Sequence, residues 1–145
     1  KVAALPERFG QMADIAAAHG MQILWENVSW CSIRTPEDVC RARELLPGLH
    51  FVLDIKQTQR GGVDVVDMIH AMGRDICHVH VLDWDGQGNL CLPGEGVADW
   101  PLLLRELKNV GYDGTILLEP YEYLARDESA LRRSLEYLHG LISNG

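Results

Sequence analysis

The stretch Ile76-Cys77-His78-Val79-His80 is one of four short apolar runs in this chain that each end at a residue able to bind a metal. The other three runs are Ile23-Leu24-Trp25-Glu26, Phe51-Val52-Leu53-Asp54 and Ile116-Leu117-Leu118-Glu119. Segments with helical periodicity separate the runs, which predicts repeated βα units and a parallel sheet. The carboxyl ends of parallel strands lie on one face, so we expect the four terminal residues to converge. They are Glu26, Asp54, His80 and Glu119.

Composition narrows the class of protein. The 145 residues, 47% of them hydrophobic, are enough for one core, and we predict a single domain over residues 1–145. A net charge of −8 argues against a nucleic-acid surface. No apolar stretch reaches the roughly 18 residues of a membrane span. The four cysteines lack CxxC spacing, which predicts free thiols in a reducing cytoplasm.

The boundaries of the predicted elements follow from capping residues. A first helix is expected over Pro6–His19, stopped by Gly20. Thr35 is expected to cap the second helix, with Pro36 in its first turn. Later helices are expected to begin at Asp64, Asp99 and Asp127, and the connections Lys56–Gly62 and Asp83–Asp99 are expected to be loops. The pattern is α(βα)4, with right-handed crossovers.

The four strand-end residues suggest a metal site. Each of them alone is commonly a loop residue or a helix cap, but their coincidence at every predicted strand favours shared chemistry. Three carboxylates and an imidazole in one place perturb one another's pKa values unless a divalent cation holds them. One nitrogen and three oxygens suit Mn²⁺ best, with Mg²⁺, Co²⁺ or Zn²⁺ as alternatives. His78 shares the strand face of His80 but lies deeper, which favours a core histidine there.

A site of this kind can catalyse proton transfer on a sugar. Four protein ligands leave two octahedral positions for a carbonyl oxygen and a neighbouring hydroxyl. The cation would polarise the carbonyl and stabilise an enediolate. Glu26 and Glu119 come from the first and last strands, so one can remove the α-proton and the other return it.

Three motifs carry a resemblance to a known family. They are His78-Val79-His80-Val81-Leu82-Asp83, Leu92-Pro93-Gly94-Glu95-Gly96 and the segment 111–120, which ends in Leu118-Glu119-Pro120. In order, they resemble the xylose isomerase-like TIM-barrel superfamily, and most of all its sugar phosphate isomerase/epimerase branch. The resemblance implies the same four metal ligands, with acid/base roles for Glu26 and Glu119. It also implies a sugar or sugar-phosphate substrate.

The residues after Asp54 depart from that family. Many relatives carry a His three residues after the strand-end Asp, where this chain has Gln57. Gln forms hydrogen bonds but cannot titrate, which predicts an altered substrate preference. Lys56 and Arg60 are candidates to bind a phosphate or carboxylate, with solvated loop charges as the alternative. Asp83, just past a strand end, is a candidate to line the substrate pocket.

The chain corresponds to the second half of the family's barrel. A closed (β/α)8 barrel typically takes about 250 residues, and this chain supplies four strands. It begins at Lys1 rather than Met, which favours a fragment of a longer enzyme. Pairing with a separate N-terminal half and closure by two copies of the chain are the alternatives. All four predicted ligands lie in this half.

Three functions are compatible with these sequence features. The leading one is a metal-dependent sugar isomerase or epimerase. An apurinic-site endonuclease of the same fold would need three zinc ions, more histidines and a basic surface. A non-catalytic metal-binding half-barrel, or a subunit that only closes a partner's barrel, is the third.

Overall fold

Residues 5–144, which a computed structural model describes, alternate between helices and short strands. The strands are β1 (Leu24–Glu26), β2 (His50–Asp54), β3 (Ile76–Val81), β4 (Asp83–Trp84), β5 (Leu90–Cys91) and β6 (Ile116–Leu118). The helices are α1 (Leu5–Ala18), α2 (Pro36–Leu45), α3 (Ile55–Arg60), α4 (Val65–Met72), α5 (Trp100–Asn109), α6 (Glu122–Ala125) and α7 (Glu128–Asn144). A short 3-10 turn, Gly73–Asp75, leads into β3.

The central sheet consists of β1, β2, β3 and β6 in that order, and every neighbouring pair is parallel. Helices lie in the connections between these strands, as parallel pairing requires. β4 and β5 form a separate antiparallel hairpin after β3. The predicted α(βα)4 pattern of parallel repeats is confirmed, and it is the pattern of half a TIM-type barrel.

One face of the sheet packs against the helices and forms the core. Phe51, Leu53 and Val79 have no exposed surface, and they belong to the same cluster as Met68 of α4 and Leu103 of α5. Alternate residues of a strand point to opposite faces. The apolar residues that made the strands recognisable in the sequence are therefore the ones that hold the helices on.

The opposite face of the sheet is only partly covered. Val52 and His78, which pair with each other, are half-buried, and Leu117 of β6 is 44% exposed. Paired residues in neighbouring strands share a face. Asp54 pairs with His80 and His80 with Leu117, so this second face carries the polar residues at the strand ends.

A bulge in β3 sets which of its residues point to each face. Phe51 pairs with Ile76, whereas Val52 pairs with His78, so Cys77 is the extra residue. A bulge changes the direction of the side chains that follow it. It lets Ile76 enter the core while His78 faces the opposite side.

Two segments predicted as loops contain regular structure. Residues of the predicted loop Lys56–Gly62 form most of α3, because the Asp54 side chain accepts a hydrogen bond from the Gln57 amide and caps a helix there. The predicted loop Asp83–Asp99 contains the β4–β5 hairpin. Its turn passes through Gly88, whose φ of +85° is costly for residues with a Cβ.

The other capping predictions agree with the structure. Thr35 and Asp38 form a reciprocal capping box at the start of α2. Asp64 and Asp99 cap α4 and α5 through their side chains. The first helix ends at Ala18, one residue earlier than predicted.

Two further features were considered in the sequence: membrane-spanning segments and the state of the cysteines. Within residues 5–144, no helix combines the length and the apolar character that crossing a bilayer requires. The four cysteines are free, as their spacing predicted; they are Cys31, Cys40, Cys77 and Cys91.

Candidate metal centre

The structure brings the four strand-end residues together. Glu26 ends β1, Asp54 ends β2, His80 is the last residue but one of β3, and Glu119 directly follows β6. One ligand atom from each lies within 4.8 Å of those of the other three. The Glu119 amide donates a hydrogen bond to the Val81 carbonyl at 3.2 Å, which extends the β3–β6 pairing as far as the ligand. Parallel topology thus produces the convergence.

Direct contacts link the members of this cluster. The His80 Nδ1 atom lies 3.1 Å from Glu26 Oε1 and 3.4 Å from Glu119 Oε2. The Lys56 ammonium lies 2.8 Å from the same Glu119 oxygen and 3.4 Å from Asp54 Oδ2. Burial raises the pKa of Asp54, and the nearby Glu26 charge adds to this, while Gln57 and Lys56 oppose it. A carboxylate in this environment gains from a further cation.

Asn27 holds Asp54 in place and was not among the predicted site residues. Its side chain is fully buried; Oδ1 accepts from the Asp54 amide at 2.7 Å, and Nδ2 donates to the Asp54 carbonyl at 3.2 Å. Nδ2 also donates to Thr58 Oγ1 at 2.8 Å. The sequence shows a polar residue, Asn27, directly after the strand-end Glu26, but this position alone does not reveal that its partner is Asp54.

Gln57 is fixed by contacts on both sides. The backbone amide of Gln57 donates to Asp54 Oδ1 at 2.9 Å, and the side-chain Oε1 accepts from Ser29 Oγ at 2.9 Å. The side chain connects α3 to the segment after β1 and is 6% exposed. A substrate contact by Gln57 stays a prediction.

The two basic residues of α3 have different environments. Lys56 is 5% exposed, so it is not a solvated loop charge. Arg60 is exposed and donates to Tyr121 Oη at 2.9 Å. Both cations lie over the Tyr121 ring, 5.1 Å and 5.5 Å from its centroid. Arg60 thus shares the Tyr121 ring with Lys56 and stays accessible.

Asp83 does not line an open pocket, which corrects the expectation for this residue. It has no exposed surface. Its carboxylate accepts hydrogen bonds from the Trp100 indole at 2.7 Å, and from the amides of Trp84, Ala98 and Gly94 at 2.8, 3.1 and 3.4 Å. Buried carboxylates require such donors. Asp83 therefore holds the β4–β5 hairpin and the loop before α5.

His80 belongs to the cluster and His78 does not. The two rings meet edge to face with their centroids 5.0 Å apart. His78 packs against His80 on the same face of β3, but it is half-buried and faces away from the helix-covered core, so the expectation of a core histidine at this position is wrong. Its ring supports the orientation of the His80 ring.

The donor set fits a hard divalent cation. Three carboxylates and one imidazole, without a thiolate, are ligands that Mn²⁺, Mg²⁺ and Co²⁺ accept and that Zn²⁺ tolerates. Glu26, Asp54 and His80 lie at the carboxyl ends of paired strands, and a backbone hydrogen bond to Val81 holds Glu119 directly after β6. The arrangement can bind a cation and leave it accessible from the side of Glu26 and Glu119, whose side chains are 35% and 44% exposed.

Comparison with known proteins defines the family. A profile described as xylose isomerase-like TIM barrel matches residues 2–141, and the chain belongs to this family. The chain is similar to the fructoselysine 3-epimerase of Escherichia coli O157:H7, with 25% identity over 95% of the chain and 53% of that protein. It is also similar to the inosose dehydratase of Geobacillus kaustophilus, with 24% identity over 87% of the chain and 50% of that protein.

A solved structure agrees with this assignment at the level of the fold. The crystal structure of the IOLI protein with a bound zinc atom superposes with a TM-score of 0.80 at 21% identity, covering 99% of this chain and 56% of that one. The chain spans about half the length of the relatives it matches.

Proposed function

We propose that this chain carries the catalytic half of a divalent-metal-dependent sugar or sugar-phosphate isomerase or epimerase. The observation that supports it best is the convergence of Glu26, Asp54, His80 and Glu119 within 4.8 Å. The similarity to an enzyme named fructoselysine 3-epimerase supports a sugar substrate. Mn²⁺ is the cation we expect from the donor set.

The roles of the four residues follow from their exposure. Asp54 is 1% exposed and is the N-cap residue of α3, and the His80 side chain is 17% exposed. Both side chains are therefore suited to hold a cation without moving. When bound, the cation would polarise a substrate carbonyl and neutralise the charge that develops on its oxygen. Glu26 and Glu119 are more exposed and come from the two edges of the sheet.

Those two glutamates are suited to the proton transfers. One carboxylate takes the proton from the carbon next to the carbonyl, and the C–H electron pair moves toward the carbonyl oxygen. The other carboxyl group returns a proton to carbon. Return to the same carbon from the opposite side inverts that centre. Return to the former carbonyl carbon gives the isomeric sugar, provided that the hydroxyl proton of the α-carbon passes to the former carbonyl oxygen, so that the new carbonyl forms at the α-carbon. The exposed Arg60, which contacts Tyr121, is a candidate to bind an anionic substituent of the substrate.

The same proton removal begins a dehydration. Inosose dehydratase is the name of one relative. Loss of a β-hydroxyl after α-proton removal needs the same base and the same charge stabilisation. We therefore include hydroxy ketones with a β-hydroxyl among the substrates to be tested.

The remaining alternatives have less support. An apurinic-site endonuclease would need a three-metal site, whereas the described part of the chain shows one four-residue cluster with a single histidine. The net charge of −8 also disfavours a DNA surface. A non-catalytic half-barrel is the alternative that experiment must distinguish from an enzyme.

Three properties of the whole protein stay proposals. They are the closure of the barrel by an N-terminal half or by a second copy of the chain, the organisation as a single domain, and the cytoplasmic location.

Exchange of a substrate proton with solvent tests the proposal. The protein would be incubated in D₂O with a panel of ketoses, their phosphates and inososes, with Mn²⁺ or with EDTA. Deuterium incorporation at the α-carbon, seen by NMR only with Mn²⁺, is expected. Metal binding without exchange in any member of the panel would favour the non-catalytic half-barrel.

A further inference from the structure

Lys56 occupies an unusual position for a lysine. It lies in the first turn of α3, two residues after Asp54, and is 5% exposed. Its ammonium is 2.8 Å from Glu119 Oε2, 3.4 Å from Asp54 Oδ2 and 5.1 Å from the centre of the Tyr121 ring. A lysine is seldom buried unless its charge is paired.

The oxygens that Lys56 contacts belong to two of the four candidate ligands. Glu119 Oε2 also lies 3.4 Å from His80 Nδ1, so it faces the centre of the cluster. A divalent cation bound to the four residues must either share these two carboxylates with the ammonium or displace it. Two cations a few ångströms apart repel strongly where water is largely excluded.

We propose that Lys56 is a built-in counter-cation that holds the metal-free carboxylate cluster together and lowers its affinity for the divalent ion. This inference rests on the metal centre of the proposed function. Competition from Lys56 would make the bound metal exchangeable rather than permanent. Lys56 would also give α3 a role in the metal site beyond that of carrying Gln57.

The charge state of Lys56 agrees with this role. Burial by itself would lower the pKa of Lys56, but the hydrogen bond from Lys56 to Glu119 and the charges of Asp54 and Glu119 raise it overall. The ammonium is therefore retained at neutral pH. Its contact with the Tyr121 ring replaces part of the hydration that burial removes.

A rival role predicts the opposite effect on metal binding. If Lys56 served only to arrange Asp54 and Glu119 for the metal, removing it would disorder the ligands and weaken binding. If it competes, removing its charge strengthens binding. The sign of the change in affinity separates the two roles.

The experiment is a Mn²⁺ titration followed by the EPR signal of free Mn²⁺ and by calorimetry. Lys56→Met keeps most of the unbranched side chain and removes the charge, and Lys56→Gln is a second, polar neutral variant. Lys108→Met, on the exposed side of α5, removes one positive charge elsewhere and is the control. We expect both Lys56 variants to bind Mn²⁺ at least about tenfold more tightly than the unmodified chain, and the control to be unchanged.

Thermal unfolding of the same proteins gives a second readout. Without metal, the Lys56 variants are expected to have a lower Tm, because the carboxylates of Asp54 and Glu119 lose the cation that pairs with them. With saturating Mn²⁺, their Tm is expected to rise more than that of the unmodified chain, since tighter binding stabilises the folded state more.

The outcomes separate this inference from the proposed function. Affinity that is equal or weaker in both Lys56 variants would overturn the competition and leave the isomerase proposal standing. Absence of Mn²⁺ binding in the unmodified chain and in both variants would overturn both. Tighter binding in the variants, with no proton exchange in any sugar, would support the inference and remove the enzymatic function.

Discussion

Asn27 and Asp54 are joined by two reciprocal hydrogen bonds across the ends of β1 and β2. The Asp54 amide donates to Asn27 Oδ1 at 2.7 Å, and Asn27 Nδ2 donates to the Asp54 carbonyl at 3.2 Å. The pair extends the sheet by a side chain where the backbone pairing stops. It fixes the backbone of the most buried carboxylate in the cluster.

Replacement of Asn27 by Ala is therefore expected to damage both stability and metal binding. It leaves a buried amide and carbonyl of Asp54 without these partners, which costs about 2–4 kcal/mol. Urea unfolding and a Mn²⁺ titration would measure the two effects. Asn109→Ala, on the exposed end of α5, is the control and should change neither. Full retention of stability and metal affinity in Asn27→Ala would show that the pair does not position Asp54.

The two histidines of β3 are expected to differ as metal ligands. His80→Ala removes a ligand atom from the cluster, whereas His78→Ala removes only a ring packed beneath it. We expect His80→Ala to weaken Mn²⁺ binding by about tenfold or more, and His78→Ala by less. Calorimetry measures both. Equal losses would contradict the choice of His80 as the ligand.

Glu119→Gln tests the acid/base assignment. The variant keeps the size of the side chain but cannot accept a proton, so solvent exchange into a responsive sugar should fall by about 10²–10⁴. Mn²⁺ affinity must be measured alongside, because Glu119 is also a candidate ligand. Exchange is therefore compared at saturating metal. An unchanged rate under those conditions would mean that another group moves the proton.

Gly96 is expected to tolerate no side chain. A Cβ at this position would lie 2.2 Å from Asp83 Oδ1 and 2.4 Å from the Trp84 carbonyl oxygen. Gly96→Ala should therefore displace the buried carboxylate and cost about 2–4 kcal/mol. Gly86→Ala, in the neighbouring hairpin turn, meets no atom within 4 Å and is the matched control. Equal unfolding free energies for the two variants would contradict the packing around Asp83.

Tyr112 predicts a loss of stability at high pH. Burial, with smaller contributions from Cys77 and Asp113, raises the pKa of Tyr112 from 10.0 to about 12, and its hydroxyl donates to the Thr115 carbonyl at 2.6 Å. The unfolded chain then loses the phenolic proton at a lower pH than the folded chain. The stabilising contribution of Tyr112 is present below pH 10 and declines toward pH 12.

Tyr112→Phe provides the measurement. The variant should be less stable than the unmodified chain at about pH 9, by about 0.5–1.5 kcal/mol for the lost hydrogen bond. The difference should narrow at about pH 11, because Phe does not ionise. Urea unfolding at the two pH values gives both numbers. A difference that stays constant would rule out a raised pKa for Tyr112.

Much of the fold could be predicted because hydrophobic periodicity acts locally. The runs that end at Asp54 and His80 alternate in burial as strands between a helix layer and an open face require. Thr35 and Asp64 begin helices through contacts within three residues. The helix α3 escaped prediction because the same Asp54 side chain that marked a candidate ligand also caps a helix.

Other features depend on contacts that no local pattern encodes. Asp83 has the position of a pocket residue in the sequence, yet it meets the Trp100 indole 17 residues away and is buried. Lys56 resembles a loop charge until it is placed beside Glu119, 63 residues away. Asp83 and Lys56 are buried because each charged group has hydrogen-bond or ion-pair partners from distant parts of the chain.

The sequence by itself determined the order of the four central strands and of the main helices between them, and it placed four possible ligands at the strand ends. Parallel topology then made their convergence necessary, since all the carboxyl ends lie on one side. Only the tertiary structure decided which of the neighbouring polar residues serve the cluster, because burial turns an unpaired charge into a large cost. Because of that cost, Lys56 is buried only where it pairs with the carboxylates of Asp54 and Glu119. Asp83 is buried where the hairpin region supplies hydrogen-bond donors, and Arg60 stays exposed.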